Sequence, residues 1–206
     1  MIGLIFYFFY GTPWGMISNK NKFETYLEEK YNQDFTIKKI SYDILHGRTY
    51  HAYAVSENNP KVTFHVGQNL TSAGIDDAYH YEMWKYQAET EITPLIEETF
   101  PDKVNHAVEI SDFLNPGITN SSNVPNYQEM VILEIGIAMD LTEINEENEE
   151  TELRKALTLL KALNEKHLHI SHFGISYKNK ALQLNTIGLK SVNTYLDLKK
   201  RLIDYK

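Results

Sequence analysis

Apolar and polar positions follow a helical period at the start of the chain and a period of two after it. Over 22–31, apolar residues recur at helical spacing, which predicts a short amphipathic helix. Three alternating runs then predict an antiparallel meander of strands at 35–42, 49–55 and 61–66. A long helix follows, capped by Asp76 or Asp77 and continuing through Phe100, and Pro94 should kink it or restart it at Thr93.

The second half of the chain predicts another sheet with its own helices. Strand patterns occur at 104–110, 129–139, 167–177 and 180–187. A helix over 146–166 has a single apolar face, made by Leu153, Ala156, Leu157, Leu160 and Leu163. A second helix is expected over 191–205. Turn residues crowd 113–126, which we interpret as a long loop. The pattern therefore predicts an α+β fold with domains 18–101 and 102–206, the second built on an antiparallel sheet with two helices.

Length and charge narrow the classes of protein to which this chain can belong. Its 206 residues suffice for one large domain or two small ones. Acidic residues number 28 against 20 basic ones, and the net charge of −8 is opposite to that of a typical nucleic-acid binder. We therefore expect no nucleic-acid partner. The absence of cysteine excludes disulfides, thiolate nucleophiles and cysteine-ligated metal centres.

The N-terminal stretch carries the main signal of location. No charged side chain precedes Lys20, and the run from Ile2 to Tyr10 is apolar and aromatic, which suits a membrane interface. The stretch is short for a membrane-spanning helix, which needs about 20 apolar residues. We interpret residues 1–17 as a membrane anchor, truncated if Met1 lies inside it. The alternative is that the same residues form the buried first strand of a cytoplasmic protein.

Several stretches in the N-terminal half resemble the sequences of a known family. They are residues 10–15 (Tyr-Gly-Thr-Pro-Trp-Gly), the helix 23–31, the runs 50–54 and 64–68, and the run 84–88 with Glu91 and Pro94. On these residues the chain resembles the N-terminal domain of the YfjL-like family, uncharacterised membrane-anchored proteins of Bacillus-type Firmicutes. The resemblance implies a membrane anchor. This chain departs from the family before its Gly-Thr-Pro-Trp-Gly stretch, where the family has a basic segment and a complete apolar helix.

His167 and His169 are the candidate metal ligands in the sequence. If 167–177 is a regular strand, their imidazoles lie on one face at a spacing that suits Zn or Cu. His172 then lies on the other face, so the three histidines do not form a facial triad. The same residues also fit the solvent-exposed face of an amphipathic strand.

His51 and His65 form a second histidine pair, on neighbouring predicted strands. Their positions allow the two side chains to meet across the sheet. Such a pair fits either a binding site or the solvent-exposed face of a half-buried meander. The sequence therefore leaves both interpretations open.

Other motifs of catalysis and cofactor binding are missing from the sequence. Six glutamates lie between Glu143 and Glu152, yet they lack the spacing of a calcium loop, and acidic residues are expected at a helix start from its dipole alone. The sequence contains neither a glycine-rich phosphate loop nor a Gly-x-Ser-x-Gly nucleophile motif. We therefore expect no bound cofactor.

These observations favour a binding protein over an enzyme. We predict a membrane-tethered, extracytoplasmic protein of a Gram-positive bacterium, which contacts the membrane through residues 1–17. It would bind a protein or cell-envelope partner through a sheet face or the loop 113–126. The alternative function is a metal-dependent envelope hydrolase that uses His167 and His169. The alternative location is the cytoplasm.

Overall fold

The fold contains two units, each with its own sheet. The computed structural model describes residues 11–45, 47–71, 74–114 and 122–205. In the first unit, the described chain up to Met83 is grouped with 122–124, and the remainder of the described chain forms the second unit. Helices and strands occur in both, so the predicted α+β class is confirmed. The sequence predicted domains 18–101 and 102–206, whereas the contacts divide the chain after Met83, within a helix.

The first unit is a four-stranded antiparallel sheet with one long helix. Helix α1 spans Pro13–Tyr31. The strands follow in sequence order as β1 (Phe35–Asp43), β2 (Thr49–Ser56), β3 (Thr63–Gln68) and β4 (Ile75–Asp77). The three predicted strands are confirmed, and the short β4 is an addition. Helix α1 packs on β1 and β2 and buries Phe23, Leu27 and Tyr31 against the inner face of the sheet.

Helix α1 begins nine residues before the predicted start, inside the predicted anchor 1–17. Gly11 adopts a positive φ of 74°, and the Thr12 side chain then accepts a hydrogen bond from the Gly15 N–H at 3.0 Å. Pro13 occupies the first helical position, where its missing N–H is not needed. The remaining part of the predicted anchor, 1–10, lies outside the described residues. This helix start was not predicted, because the prediction for 1–17 rested on the apolar character of the stretch alone.

Within 11–45, 47–71, 74–114 and 122–205, no helix combines the length and the apolar character that a bilayer span requires.

The second unit is a five-stranded sheet with helices between its strands. Helix α2 (Tyr79–Thr99) leads into it and is continuous through Pro94, so a restart of the helix at Thr93 is wrong, whereas the kink stays a prediction. The strands, in their order across the sheet, are β5 (Asn105–Phe113), β6 (Val131–Met139), β7 (Ile170–Tyr177), β8 (Lys180–Asn185) and β9 (Leu202–Asp204). The helices are α3 (Tyr127–Met130), α4 (Glu149–Glu165), α5 (Thr186–Ser191) and α6 (Tyr195–Lys199).

The prediction of an antiparallel second sheet was wrong in one pair of strands. Strands β6 and β7 are parallel, whereas the other three pairs are antiparallel. Helix α4 provides the crossover that a parallel pair requires. The sheet is therefore mixed.

The predicted helix over 191–205 was also wrong. The backbone N–H and side chain of Thr194 pair with the Asp197 carboxylate, which opens the short helix α6. The chain then extends, and Leu202–Asp204 pairs with residues of β8 as the edge strand β9. Pairing with a distant strand therefore replaces continuation of the helix.

One face of the second sheet forms the core of this unit. Its strands bury large apolar side chains, among them Leu133, Ile135, Ile137, Phe173, Ile175, Leu182 and Leu184. Helix α4 contributes Leu153, Ala156, Leu159 and Leu163 to the core. The predicted face of this helix also included Leu157 and Leu160, which are only half-buried. The opposite face of the sheet carries smaller and more polar side chains, which are described below.

The long edge strand of each sheet contains an irregularity. In β1 the register shifts between Ile37 and Lys39, and in β5 it shifts between Ile110 and Asp112. A shift of this kind inserts an extra residue and bends the strand.

Candidate functional site

The two predicted metal ligands lie outside regular strand structure. Strand β7 begins at Ile170, three residues later than predicted. His167 has a positive φ of 55° in the turn after α4, so the alternation that would place it on one face with His169 does not apply. Among the described residues, no group of three or more histidine, aspartate or glutamate side chains is arranged to hold a metal ion. Metal binding by His167 and His169 stays a prediction.

The His51 and His65 side chains meet on the outer face of the first sheet. Their rings are stacked, with centroids 5.1 Å apart and planes 29° apart, and the Tyr53 ring contacts His65 edge-on. A Cβ at Gly67 would collide with the His51 ring, so the glycine makes room for it. Burial and the nearby His51 lower the pKa of His65. Nitrogen lone pairs lie in the ring planes, so stacked rings do not aim them at one shared ion.

A buried carboxylate organises the interior of the first unit. Asp77 accepts hydrogen bonds from the Tyr31 hydroxyl at 2.7 Å, the Lys30 ammonium at 2.8 Å and the Tyr26 hydroxyl at 2.9 Å. It also accepts one from the Tyr79 N–H at 3.0 Å, as a residue before a helix does. Burial and the neighbouring Asp77 raise the pKa of both tyrosines. This saturated cluster fixes helix α1 to the sheet, which is a structural role.

The outer face of the second sheet has small residues along its centre. Ala107 on β5 pairs with Gly136 on β6, and Gly136 pairs with Gly174 on β7. Ala138 lies on the same face, two residues along β6. These four residues are half-buried or exposed, and we call the depression that they line the small-residue trough. Its volume is about 420 Å³.

Polar and charged residues border the small-residue trough. The next row across β5, β6 and β7 consists of Glu109, Glu134 and His172. Ser176 and Tyr205 border the opposite side, with their hydroxyl oxygens 2.9 Å apart. Lys85 forms an ion pair with Glu109 at 2.7 Å, whereas Glu134 has no ion pair or hydrogen bond from any side chain in the described ranges. An apolar floor with a polar border is typical of surfaces that bind other molecules.

Comparisons with known proteins identify no family for this chain. No family model matches it, and no curated protein does. A solved structure with some likeness is the crystal structure, at 2.55 Å resolution, of a DUF5037 family protein from Ruminococcus gnavus ATCC 29149. The two chains share 17% identity, and the alignment covers 84% of this chain and 77% of the other with a TM-score of 0.40. A likeness of this degree supports no inference about function, and membership of the YfjL-like family stays a prediction.

Proposed function

We propose that this chain is a binding module that contacts a protein partner through the small-residue trough. The supporting observation is the row of Ala107, Gly136 and Gly174 across three neighbouring strands on an exposed sheet face. Glycine weakens a strand, and its presence in a strand interior often marks a place where another molecule approaches closely. The trough therefore has the shape to receive a side chain of the partner.

The border of the trough indicates the chemistry of that side chain. Glu134 is exposed, and no described residue neutralises its charge. Beside it lies the apolar floor formed by Gly136 and Ala138. A segment that places an aliphatic or aromatic residue next to lysine or arginine complements both features. The net charge of −8 favours approach of such a basic segment over the whole chain.

Substitution of Gly136 by leucine tests this function. A Cβ at Gly136 meets no atom within 4 Å, so we expect the trough to accommodate a larger side chain at this position. We expect unchanged stability, or a gain of up to about 1 kcal/mol because glycine is unfavourable in strands. Peptides selected from a displayed random library on the wild-type chain should pair apolar with basic residues. Calorimetry should show that these peptides bind the variant about tenfold more weakly or worse, a difference of about 1.4 kcal/mol.

The matched control places the same side chain on the other sheet. Thr63 is exposed on β3, so Thr63→Leu adds a leucine to a sheet face in the first unit. Peptide affinity should be unchanged in this variant. If the selected peptides bind Gly136→Leu as tightly as they bind the wild-type chain, or if they lack the apolar and basic pairing, the proposal is wrong.

We also propose that residues 1–17 tether the module to the membrane, on the outer side of a Gram-positive cell. The uncharged run from Ile2 to Tyr10 supports this, as does the exposure of Trp14 and Ile17 on the first turns of α1. The native chain should stay in the membrane pellet after carbonate extraction and be cleaved by protease added to intact cells. Release by carbonate together with protection from the protease would instead support the cytoplasmic alternative.

A further inference from the structure

A second cavity lies in the second unit, between helices α4 and α5. Its volume is about 520 Å³, which is in the range of small-molecule sites. Leu157 and Leu160 of α4 line one part of it, and Leu189 and Val192 line another, together with Leu168. All five residues are half-buried. We call this cavity the aliphatic pocket.

The aliphatic walls are not accounted for by the core of the unit. The core side of α4 is formed by Leu153, Ala156, Leu159 and Leu163, all of which are fully buried. Leu157 and Leu160 form a second apolar pair at i and i+3, outside that face. Helix α4 therefore has more apolar surface than the packing of the sheet uses, and this surplus faces the pocket.

The charge at the pocket is opposite to that of the whole chain. Lys161 and Lys190 line it, and none of the described lining residues is acidic, although acidic residues outnumber basic ones by 28 to 20 in the chain. Both lysines are exposed, and neither has a carboxylate partner in the parts of the chain that the structure describes. The fully charged residues that line the pocket are therefore all basic, and they lie beside its aliphatic residues.

The position of His169 fits the same chemistry. It lines this pocket together with the polar side chains of Asn164 and Asn193. Two unpaired ammonium groups on the same pocket repel a metal cation and attract an anion. The imidazole and the two amides can each donate a hydrogen bond to the oxygen atoms of such an anion.

We propose that the aliphatic pocket binds an amphiphilic anion of the fatty-acid class. The alkyl chain contacts the leucine walls, and the carboxylate lies at Lys161 and Lys190. Burial of an alkyl chain supplies affinity, whereas the two lysines select the charged head group. This site shares no residue with the small-residue trough, so its test is independent of the proposed binding module.

Three amphiphiles whose chains have the same number of carbons separate the contribution of the alkyl chain from that of the charged head group. Dodecanoate, dodecanol and dodecyltrimethylammonium are titrated into the full chain by calorimetry, the two ionic amphiphiles below their micelle-forming concentrations and dodecanol below its solubility limit. We expect dodecanoate to bind at one site, dodecanol to bind about tenfold more weakly and the cation to show no binding at this site. Equal affinities for all three would show unselective hydrophobic contact, and absence of dodecanoate binding would also overturn the proposal.

Lysine variants test the location of the head group. The double variant Lys161→Met and Lys190→Met keeps the apolar stems and removes both charges. It should weaken dodecanoate binding about tenfold or more, because hydrogen bonds to charged groups are stronger than those between neutral groups. Dodecanol binding should be unchanged. The control is the double variant Lys38→Met and Lys61→Met, which should bind dodecanoate as tightly as the wild-type chain. Both lysines are exposed and unpaired in the described part of the first unit.

Methyl resonances provide an independent readout of location. Dodecanoate should shift the methyl signals of Leu157 and Leu160 and leave those of Leu27, in the core of the first unit, unchanged. The lysines are exposed, so the variants should fold, which circular dichroism checks. If dodecanoate affinity falls equally in the control, or if the shifts occur away from the pocket, the assignment is wrong.

Discussion

Substitution of Asp77 by alanine is expected to destabilise the first unit by about 3–5 kcal/mol, the usual cost of removing one partner of a buried ion pair. The Asp77 side chain is 1% exposed and lies 2.8 Å from the Lys30 ammonium, which would be left partly buried without its carboxylate. The hydroxyls of Tyr26 and Tyr31 would also lose their acceptor. Denaturant unfolding measures the loss in the free energy of unfolding, and hydrogen exchange of the β2 and β3 amides locates that loss in the first unit.

The same substitution should change the response to acid. Burial raises the pKa of Asp77, but hydrogen bonds from Lys30 and Tyr31 outweigh it and hold the pKa below its ordinary value. A lowered pKa in the folded state means that this stabilisation is complete above the unfolded pKa of about 3.9 and is lost as the pH falls through the folded pKa. The stability difference between the wild-type chain and Asp77→Ala should therefore shrink below about pH 4.

The neighbouring Asp76 provides the control for this prediction. It lies on the same short strand, but it is exposed, and its side chain contacts the Asn69 amide. Its replacement by alanine should cost less than about 1 kcal/mol, as is usual for exposed polar contacts. Equal losses of folding stability in the Asp76 and Asp77 variants would contradict the structural role assigned to the buried carboxylate.

Substitution of Trp84 by alanine should destabilise the second unit by about 3–5 kcal/mol, as is typical of a large buried aromatic residue. Trp84 is 1% exposed, and its ring lies 6.0 Å from that of Phe113. The indole N–H donates a hydrogen bond to the Pro125 carbonyl at 3.0 Å. Trp84 thus joins helix α2 to the end of β5 and to the segment before α3.

The other tryptophan of the chain is the matched control for Trp84. Trp14 is 73% exposed, so Trp14→Ala should change the free energy of unfolding by less than about 0.5 kcal/mol. Trp84→Phe keeps most of the packing and leaves the Pro125 carbonyl without its donor, which should cost about 1 kcal/mol. Hydrogen exchange of β5 and β6 amides separates the variants. Similar effects of Trp14→Ala and Trp84→Ala would show that burial does not decide stability here.

Local patterns were sufficient to predict the elements whose partners are close in sequence. The antiparallel pairs of β1 with β2 and β2 with β3 follow from period-two alternation and polar turns. Helix α4 was predicted because its apolar residues repeat at helical spacing over four turns. In both cases the information lies within one short stretch of chain.

Elements that depend on distant partners were not predicted. Nothing within 131–139 or 170–177 specifies that β6 and β7 run parallel, because direction is set by the crossover of α4. Near the C-terminus, a helix was expected over 191–205, but β9 forms there because it pairs with residues of β8. The start of α1 was a different case, since Thr12 followed by Pro13 is a recognisable helix start that the apolar surroundings obscured.

The sequence contains signals of the small-residue trough and of the aliphatic pocket, but neither surface was predicted from them. In β6 and β7, Gly136, Ala138 and Gly174 alternate with large buried residues, where an exposed strand face usually carries polar side chains. For the aliphatic pocket, the signal was that Leu157 and Leu160 widen the apolar face of α4 beyond a single stripe. Both signals became interpretable only when the structure showed which positions the core uses.

The register shifts in β1 and β5 bear on whether sheets of separate copies of this protein can pair edge to edge. Each described sheet has two free edges, and exposed edges can pair with other copies of a chain. One edge of each sheet is a strand of only three residues, β4 or β9, and the long edges β1 and β5 are interrupted by their shifts. Short or bent edges offer few aligned backbone groups to an incoming strand. We therefore expect the open faces of this protein to accept ligands without its sheets joining edge to edge.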